Sequence, residues 1–416
     1  MKFIHTADIH LDSPMRGLEA YDGAPVQELR GATRRALENL VDFALDEEVA
    51  FILIAGDIYD GEWKDVNTGL FFARQMARLG EAGIKVILIA GNHDADSVIA
   101  RRLHLPDCCV ELPTDAPDTC HLKEHKVAIH GQGFKTKAVE EDLSIHYPDP
   151  TPGVLNIGLL HTSADGRPGH ASYAPCTVAG LVAKGYDYWA LGHIHQREIL
   201  NEQPWIVFPG NLQGRHIREP GKKGATLVTV EDLEITSVEH HDLDVARWLV
   251  CEVDASGAQD ETAVLGAVSA RLELELGNAH ERLIVARIVI IGSSAAHGAL
   301  TKDEEAFAAD VRALAFEVGA DRLWVEKVKV RTRSPIDLDE ARQREDAIGE
   351  LLRSMEALDD ERLQELSGQF ADLRAKLPSE LRAGEEPFDP TDTETLGGLV
   401  GDVEQLLLPL LTAEET

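Results

Sequence analysis

Five short apolar runs in this chain break off at carboxylate, carboxamide or imidazole side chains: "KFIHTADIH", "AFILIAGDIYD", "KVILIAGNHDAD", "LNIGLLHTS" and "YWALGHIH". Runs of this length, rich in β-branched and aliphatic residues and bounded by glycine or polar residues, read as buried strands. Their polar ends recur. The open edge at the carboxyl ends of parallel strands is where α/β sheets bind ligands, so five such ends predict one shared crevice.

The same signal continues in "KVAIHG", "WIVFPG" and "ATLVTV", with helix-like stretches between the runs for about the first 240 residues. One of these, "LRGATRRALENLVDFALDEE", keeps Leu37, Leu40, Val41 and Ala44 at helical spacing. This is the pattern of an α/β domain. A second region, from Trp248 to Arg331, reads strand, helix, strand, helix, strand. Its first helix carries Val264, Val268, Leu272 and Leu276 and should stop at Gly277. The second should start from a capping box of Thr301 and Glu304 ahead of Phe307, Val311, Leu314 and Val318. From Ser334 the chain turns helical and acidic, with 22 Asp and Glu against 7 Lys and Arg over residues 336–416. Leu351, Met355, Leu358, Leu366, Phe370, Leu373 and Leu377 mark its apolar faces. "EEPFDPTDTE" reads as a linker and "LGGLVGDVEQLLLPLL" as a last short apolar element. The expected domains are therefore 1–243, 244–333 and 334–416.

Composition decides what the chain is not. With 416 residues and 44% hydrophobic content it has ample material for two or three packed domains. No apolar run reaches the roughly 18 residues of a membrane helix, and "MKFIHTAD" lacks the charged and apolar regions of a secretion signal. A cytoplasmic protein that does not enter membranes is expected. Five cysteines without paired C-x-x-C spacing read as reduced, packing thiols. The net charge of -33 repels nucleic acid at long range, so any DNA contact must be local. Solubility or a salty cytoplasm would account for the charge equally well.

The strand ends supply Asp8 and His10, Asp57 and Asp60, Asn92, His93 and Asp94, His161, and His193 and His195: carboxylate, carboxamide and imidazole donors with no thiolate among them. Such a set suits Mn, Fe or Zn at five or six ligands better than a tetrahedral structural zinc. On an extended strand end, residues i and i+2 point the same way, so Asp8 with His10, and His193 with His195, should face one centre. These donors are more than one ion needs. A carboxylate bridging two cations roughly 3.5 to 4 Å apart would use them all, and suits displacement at phosphorus.

In order, D-x-H, G-D-x-x-D, G-N-H-D, a lone strand-end His and G-H-x-H form the pattern of the calcineurin-like metallophosphoesterases, which the first 240 or so residues resemble. "FIHTADIHLDSPMRGL", "AGDIYD" and "FPGNLQGRHIREPGKKG" are similar to the DNA-repair exonuclease branch, that of the SbcD nuclease subunit and its YhaO-type relatives. The resemblance implies a metallophosphoesterase β-sandwich flanked by helices, a small α+β accessory or capping domain and a C-terminal helical region. It implies two divalent ions, manganese first, with iron, zinc or magnesium as the other candidates. Asp8, His10, Asp57 and His195 would hold one, and Asp57 would bridge to a second completed by Asn92, His161 and His193. His93 would face the scissile phosphate with Asp94 as its orienting partner. Asp60 stands where some nuclease relatives carry His, and reads either as a group orienting a ligand or as a simple helix cap.

Arg215, His216, Arg218, Lys222 and Lys223 cluster within nine positions and could neutralise backbone phosphates without reading sequence, or form a solvated hairpin. By resemblance, the C-terminal helices would dock on an ABC-type coiled-coil ATPase of the SMC kind; an internal helical hairpin accounts for their apolar faces as well. A homodimer is compatible with either. A phosphodiesterase for nucleotides or other small phosphodiesters, and a non-catalytic scaffold, stand as the alternatives to a metal-dependent DNA exonuclease. Against the first stand the accessory domain and tail; against the second stands a complete donor set.

Overall fold

The computed structural model describes residues 1–13, 25–60, 65–96, 104–166, 173–335, 338–378, 382 and 388–413. Contacts divide the chain into two compact units: Met1–Val250 with Leu276–Ala286 and Asp321–Glu326, and Cys251–Glu275 with Arg287–Ala320 and Lys327–Thr416.

The first unit is a two-sheet sandwich. Its strands, in chain order, are β1 (Lys2–Thr6), β2 (Phe51–Ile54), β3 (Lys85–Leu88), β4 (Cys109–Glu111), β5 (Asp118–Leu122), β6 (Val127–Gly131), β7 (Leu155–His161), β8 (Tyr188–Gly192), β9 (Glu198–Glu202), β10 (Trp205–Phe208), β11 (Gly224–Glu231) and β12 (Glu234–Asp242). One sheet has the order β12-β11-β1-β2-β3-β4, with β1 to β4 parallel and β11 antiparallel to both its neighbours. The other has the order β5-β6-β7-β8-β10-β9, parallel from β6 to β10 and antiparallel at both edges.

Alternation along each strand divides its side chains between two layers. Phe3, Phe51, Leu53 and Ile87 of one sheet meet Ile129, Ile157, Leu159 and Tyr188 of the other. Ile4, Ile52, Ile54, Val86 and Leu88 face the opposite way, onto helices α2 (Ala32–Asp46) and α3 (Val66–Glu81). There they meet Leu37, Leu40 and Val41 from α2 and Phe72, Met76 and Leu79 from α3. A layer containing Trp189, Leu191, Ile206 and Phe208 packs with Tyr147, Leu181 and Tyr186. Strands covered on both faces have no solvent side, which is why they read as unbroken apolar runs. Each fully buried Leu, Ile or Phe contributes roughly 1.5 to 3 kcal/mol. A short helix α1 (Val26–Arg30) precedes α2, α4 (Asn92–Asp96) opens directly at the site, and α5 (Val178–Ala183) leads into β8.

Three further strands, β13 (Ala246–Asp254), β14 (Leu283–Ser293) and β15 (Leu323–Arg333), form a sheet in that order. Helix α6 (Glu261–Asn278) connects the first two and buries Val264, Val268 and Leu272. It runs through Gly277 to Asn278. Helices α7 (His297–Lys302) and α8 (Glu304–Gly319) connect the last two. The expected capping box is replaced: Asp303 caps α8 by accepting from Ala306 N at 3.0 Å, while Thr301 lies in α7 and donates to His297 O at 2.9 Å. The hydroxyl is already spent on the preceding helix, and the carboxylate stands one residue ahead of the first helical position.

In the tail, α9 (Leu338–Arg342), α10 (Ala347–Glu356), α11 (Asp360–Gln369), α12 (Ala371–Lys376) and a final helix Thr393–Ala413 follow one another. The segment expected to be a short apolar element is that final helix, which packs on α10, α11 and α7. Arg342 Nη2 lies 3.6 Å from Glu404 Oε2. Ala341, Ile348, Leu352 and Leu363 are the buried anchors, whereas Leu351, Met355, Leu358, Leu366, Phe370 and Leu377 are half-buried and Leu373 is exposed. Much of the apolar surface thus faces other helices of this chain. Among the described residues no helix is long and apolar enough to cross a membrane.

Candidate metal centre

The strands stop just short of the site, and the backbone then turns through unusual conformations. Asp8 (φ 51°), His10 (φ 42°), Asp57 (φ 54°) and His193 (φ 102°) all have positive φ. Asp8 with His10, and His193 with His195, were expected to share a side because the strands continued extended; they do not continue. Left-handed turns aim these side chains instead, and main-chain bonds hold the turns: Asp8 N donates to Gly56 O and His10 N to Asp57 O, each at 3.0 Å. Strain of order 1 to 3 kcal/mol per such residue persists only where the surroundings impose it. Two glycines make the approach possible. A Cβ at Gly192 would lie 1.9 Å from Ala55 O, and one at Gly91 would lie 2.2 Å from Asp57 Oδ1.

Around these turns the donor atoms converge. His10 Nε2 lies 3.2 Å from His195 Nε2 and 3.9 Å from Asp57 Oδ2. His195 Nε2 lies 3.8 Å from Asp8 Oδ1, and His161 Nε2 lies 3.5 Å from Asp57 Oδ2 and 2.9 Å from Asn92 Oδ1. With metal–donor bonds of about 2.0 to 2.2 Å, two ligands of one ion sit roughly 3 to 4 Å apart, as these do. Among the described residues three groups of donors are close enough to share an ion: Asp8 with His10 and His195, Asp8 with Asp57 and His161, and His10 with Asp57 and His93. His193 joins none of these. Its backbone amide donates to Asp8 Oδ2 at 3.0 Å, and its ring stands 5.3 Å from that of His161.

Charge balance tests the fit. Asp8, His10, Asp57 and His161 are almost wholly buried. Burial, and then the charge of Asp57, raises the Asp8 carboxyl well above its ordinary range, and burial raises Asp57 too. Burial also lowers the imidazoles: His161 to about 3, His10 well below its ordinary value and His195 below it. Carboxylates resist ionising here, and imidazoles resist protonating. Divalent cations would satisfy both, because they take charged carboxylates and neutral imidazoles as ligands. His161 Nδ1 donates to Ala55 O at 2.9 Å, so its Nε2 turns a lone pair toward Asn92 Oδ1. Among the described residues buried His10 Nδ1 has no hydrogen-bond partner. The residues present fit a metal.

His93 and its neighbours differ from the expectation. Its backbone N donates to Asp57 Oδ1 at 2.9 Å, and its ring Nδ1 lies 3.5 Å from Asp60 Oδ1. Burial would lower this imidazole, but the bond to Asp60 and the charges of Asp57 and Asp60 outweigh it and raise it above its ordinary value. Asp60 in turn is lowered to about 2, chiefly by His93, and accepts from Ser13 Oγ at 2.8 Å. Asp94, expected to orient His93, does not do so. Its carboxylate accepts from Ile58 N, Tyr59 N and Gly91 N at 3.2, 3.0 and 3.1 Å, pinning the β2 loop to the β3 loop. The difference arises because Asp94 opens onto three amides left unpaired at a turn, while Asp60 stands beside the ring.

The basic loop divides. Lys223 is buried and donates to His195 O at 2.7 Å. Arg215, with its side chain only 14% exposed, donates from Nη2 to Glu219 Oε1 at 2.8 Å and lies 3.2 Å from His195 Nδ1. The side chains of these two cations, expected on the DNA backbone, are turned inward toward Glu219 and His195. His216, Arg218 and Lys222 are exposed, with His216 Nε2 3.6 Å from Glu219 Oε1 and Lys222 Nζ 3.1 Å from Asp242 Oδ2. Glu219 itself was not foreseen. It accepts from His195 Nδ1 at 2.7 Å, and one acid among 73 gives no sequence signal of that role.

The calcineurin-like phosphoesterase family profile matches residues 1–197, and that of the middle domain of metallophosphoesterase YhaO matches residues 248–333. The uncharacterized metallophosphoesterase YhaO of Bacillus subtilis is 36% identical over 272 residues, 64% of this chain and 66% of that protein, so the chain spans just under two thirds of this relative. DNA double-strand break repair proteins Mre11 of Sulfurisphaera tokodaii (24% identical, covering 73% of this chain and 76% of that protein) and Methanopyrus kandleri (23%, covering 82% and 75%) are more distant relatives. Among solved structures, TT1561 of Thermus thermophilus is 17% identical with a TM-score of 0.33, covering 58% of this chain and 98% of its own, and a dimetal phosphatase from Danio rerio is 11% identical with a TM-score of 0.33, covering 55% and 92%. Residues 1–197 are thus a calcineurin-like metallophosphoesterase domain, its motif residues standing at the carboxyl ends of strands from both sheets, and residues 248–333 are similar to the middle domain of YhaO.

Proposed function

We propose that this chain is a metal-dependent phosphodiesterase that acts on DNA as an exonuclease. The observation that carries the reading is the buried donor cluster around Asp57, with the His93–Asp60 pair beside it. Asp8, His10, Asp57 and His195 would hold one divalent ion, manganese by preference, and Asp57, Asn92, His161 and His193 a second. Such a pair supplies charge neutralisation for the phosphoryl oxygens and a nucleophile at neutral pH. His93 stays protonated to a higher pH than a free imidazole, and can hand its proton to the leaving 3′ oxygen. Asp60 keeps the ring in place. Arg215 directs positive charge at Asp8, Asp57 and Asp60, where an anionic substrate would otherwise be repelled.

DNA as substrate is supported by the relatives described as DNA double-strand break repair proteins and by the exposed His216, Arg218 and Lys222 on the loop that holds His195. In this reading residues 1–243 are the nuclease domain, 244–333 a capping domain and 334–416 the element that docks a coiled-coil ATPase of the ABC type, in the cytoplasm. A phosphodiesterase for small phosphodiesters is the second reading, favoured by one observation: two of the five loop cations are turned inward and leave fewer for a DNA backbone. Purified protein with Mn should be assayed on end-labelled duplex DNA, a cyclic nucleotide and a chromogenic phosphodiester. Release of nucleotides from DNA ends supports the exonuclease; turnover of the small esters alone overturns it.

A further inference from the structure

Loop residues 211–223 are arranged around one buried carboxylate. Glu219 is 6% exposed, and each of its oxygens is committed. Oε1 accepts from His195 Nδ1 at 2.7 Å and Arg215 Nη2 at 2.8 Å; Oε2 accepts from Asn211 Nδ2 and from Arg215 N, both at 2.9 Å, and lies 3.3 Å from Arg215 Nε. A carboxylate only accepts, so His195 must carry its proton on Nδ1. That leaves the Nε2 lone pair facing His10 Nε2 and Asp8 Oδ1, at 3.2 and 3.8 Å. Lys223 Nζ holds the backbone of the same histidine through His195 O at 2.7 Å. Ring and main chain of one ligand are thus gripped by residues 24 and 28 positions later.

We propose that Glu219 is the positioning residue of the metal centre: it sets the tautomer and orientation of His195, while Arg215 and Asn211 hold Glu219. The inference rests on the reading of His195 as a metal ligand. It gives the "GRHIREPGKKG" loop a second duty besides any contact with substrate. Carboxylates that receive the far N–H of a ligating histidine typically govern metal affinity by 10- to 100-fold.

The test is Mn titration of the metal-stripped full-length protein, with bound and free ion read by electron paramagnetic resonance and folding followed by thermal melting. Glu219→Ala should weaken one of two sites by about 10- to 100-fold and spare the other. Glu219→Gln, which retains an acceptor oxygen for His195 Nδ1, should recover most of that loss. A folded Glu219→Ala protein with both sites at wild-type affinity overturns the proposal, as does Glu219→Gln falling as far as Glu219→Ala. If Glu219→Ala does not fold, the cycle of Glu219→Met, His195→Ala and their double variant decides. Glu219→Met, which offers His195 Nδ1 no acceptor, should then weaken the site in the presence of His195 and add nothing in its absence. An equal effect in both backgrounds, or none in either, overturns the proposal. A wild-type protein that takes up no Mn sinks the metal reading itself, which is a different failure.

Discussion

Two parts of one site are built by different rules. The side that holds Asp8, Asp57, Asn92 and His161 comes from the ends of parallel neighbours β1, β2 and β3 and of β7, where ladder registers such as Thr6 beside Ile54 bring the ends level. The side that holds His195 in place comes from a loop in which the side chains of Asn211, Arg215, Glu219 and Lys223 hydrogen-bond to one another, to His195 and to the main chain. Ladder geometry repeats, so a strand end tells where its neighbours finish. A loop folded around one carboxylate has no period, and its members cannot be ranked by type: Arg215 and Arg218 are the same residue, three positions apart, one inside and one out.

That contrast can be broken most forcefully at Asp57, which two of the three donor groups share. Asp57→Ala should remove bound metal and lower phosphodiester turnover by on the order of 10⁴ or more. Mn content and turnover measured together check it, and a variant that still carries two ions would show that the strand-end side is not the metal-holding one. His93→Ala comes next. It should cost roughly 10² to 10⁴ in turnover while Mn content holds if, as proposed, the ring works on the scissile phosphate and not on the ions. Asn92→Ala, one residue earlier, should lose metal as well. Parallel metal loss in both would place His93 with the ligands, where its nearness to His10 and Asp57 already points.

Within the loop the expected effects are smaller. Replacing Arg218 and Lys222 with Gln should weaken duplex binding by roughly tenfold and reduce its salt slope by about two, one for each phosphate no longer neutralised. Hydrolysis of a small chromogenic phosphodiester should hold. An unchanged salt slope would return both residues to the role of solvated surface. Smallest of all is Asp60→Asn. Asp60 keeps His93 protonated above its ordinary range, so without that charge the imidazole loses its proton at lower pH. Activity that needs the proton should then fall earlier as pH rises, and the alkaline limb of the pH–rate profile should move down; a limb that stays put would remove Asp60 from the proton's path.

The sequence by itself determined the interior of this protein. Eight strands buried within the two sheets were legible as apolar runs, and the polar residues that end five of them were legible as donors, because burial on both faces permits little else. The unforeseen strands β4, β5, β9 and β12 are the four sheet edges. "DTCHL", "EILNE" and "EITSVEHHD" carry polar residues where one side meets water, so no apolar run announces them. Only the tertiary structure decided that Asp60 and not Asp94 faces His93, that left-handed turns rather than extended strand ends aim Asp8 and His10, and that Arg215 and Lys223 turn inward. The physical reason is common to all three. Which partner a charged or hydrogen-bonding side chain finds depends on groups far away in sequence, 36 residues for Asp57 with His93 and 24 for His195 with Glu219, and local pattern carries no record of that distance.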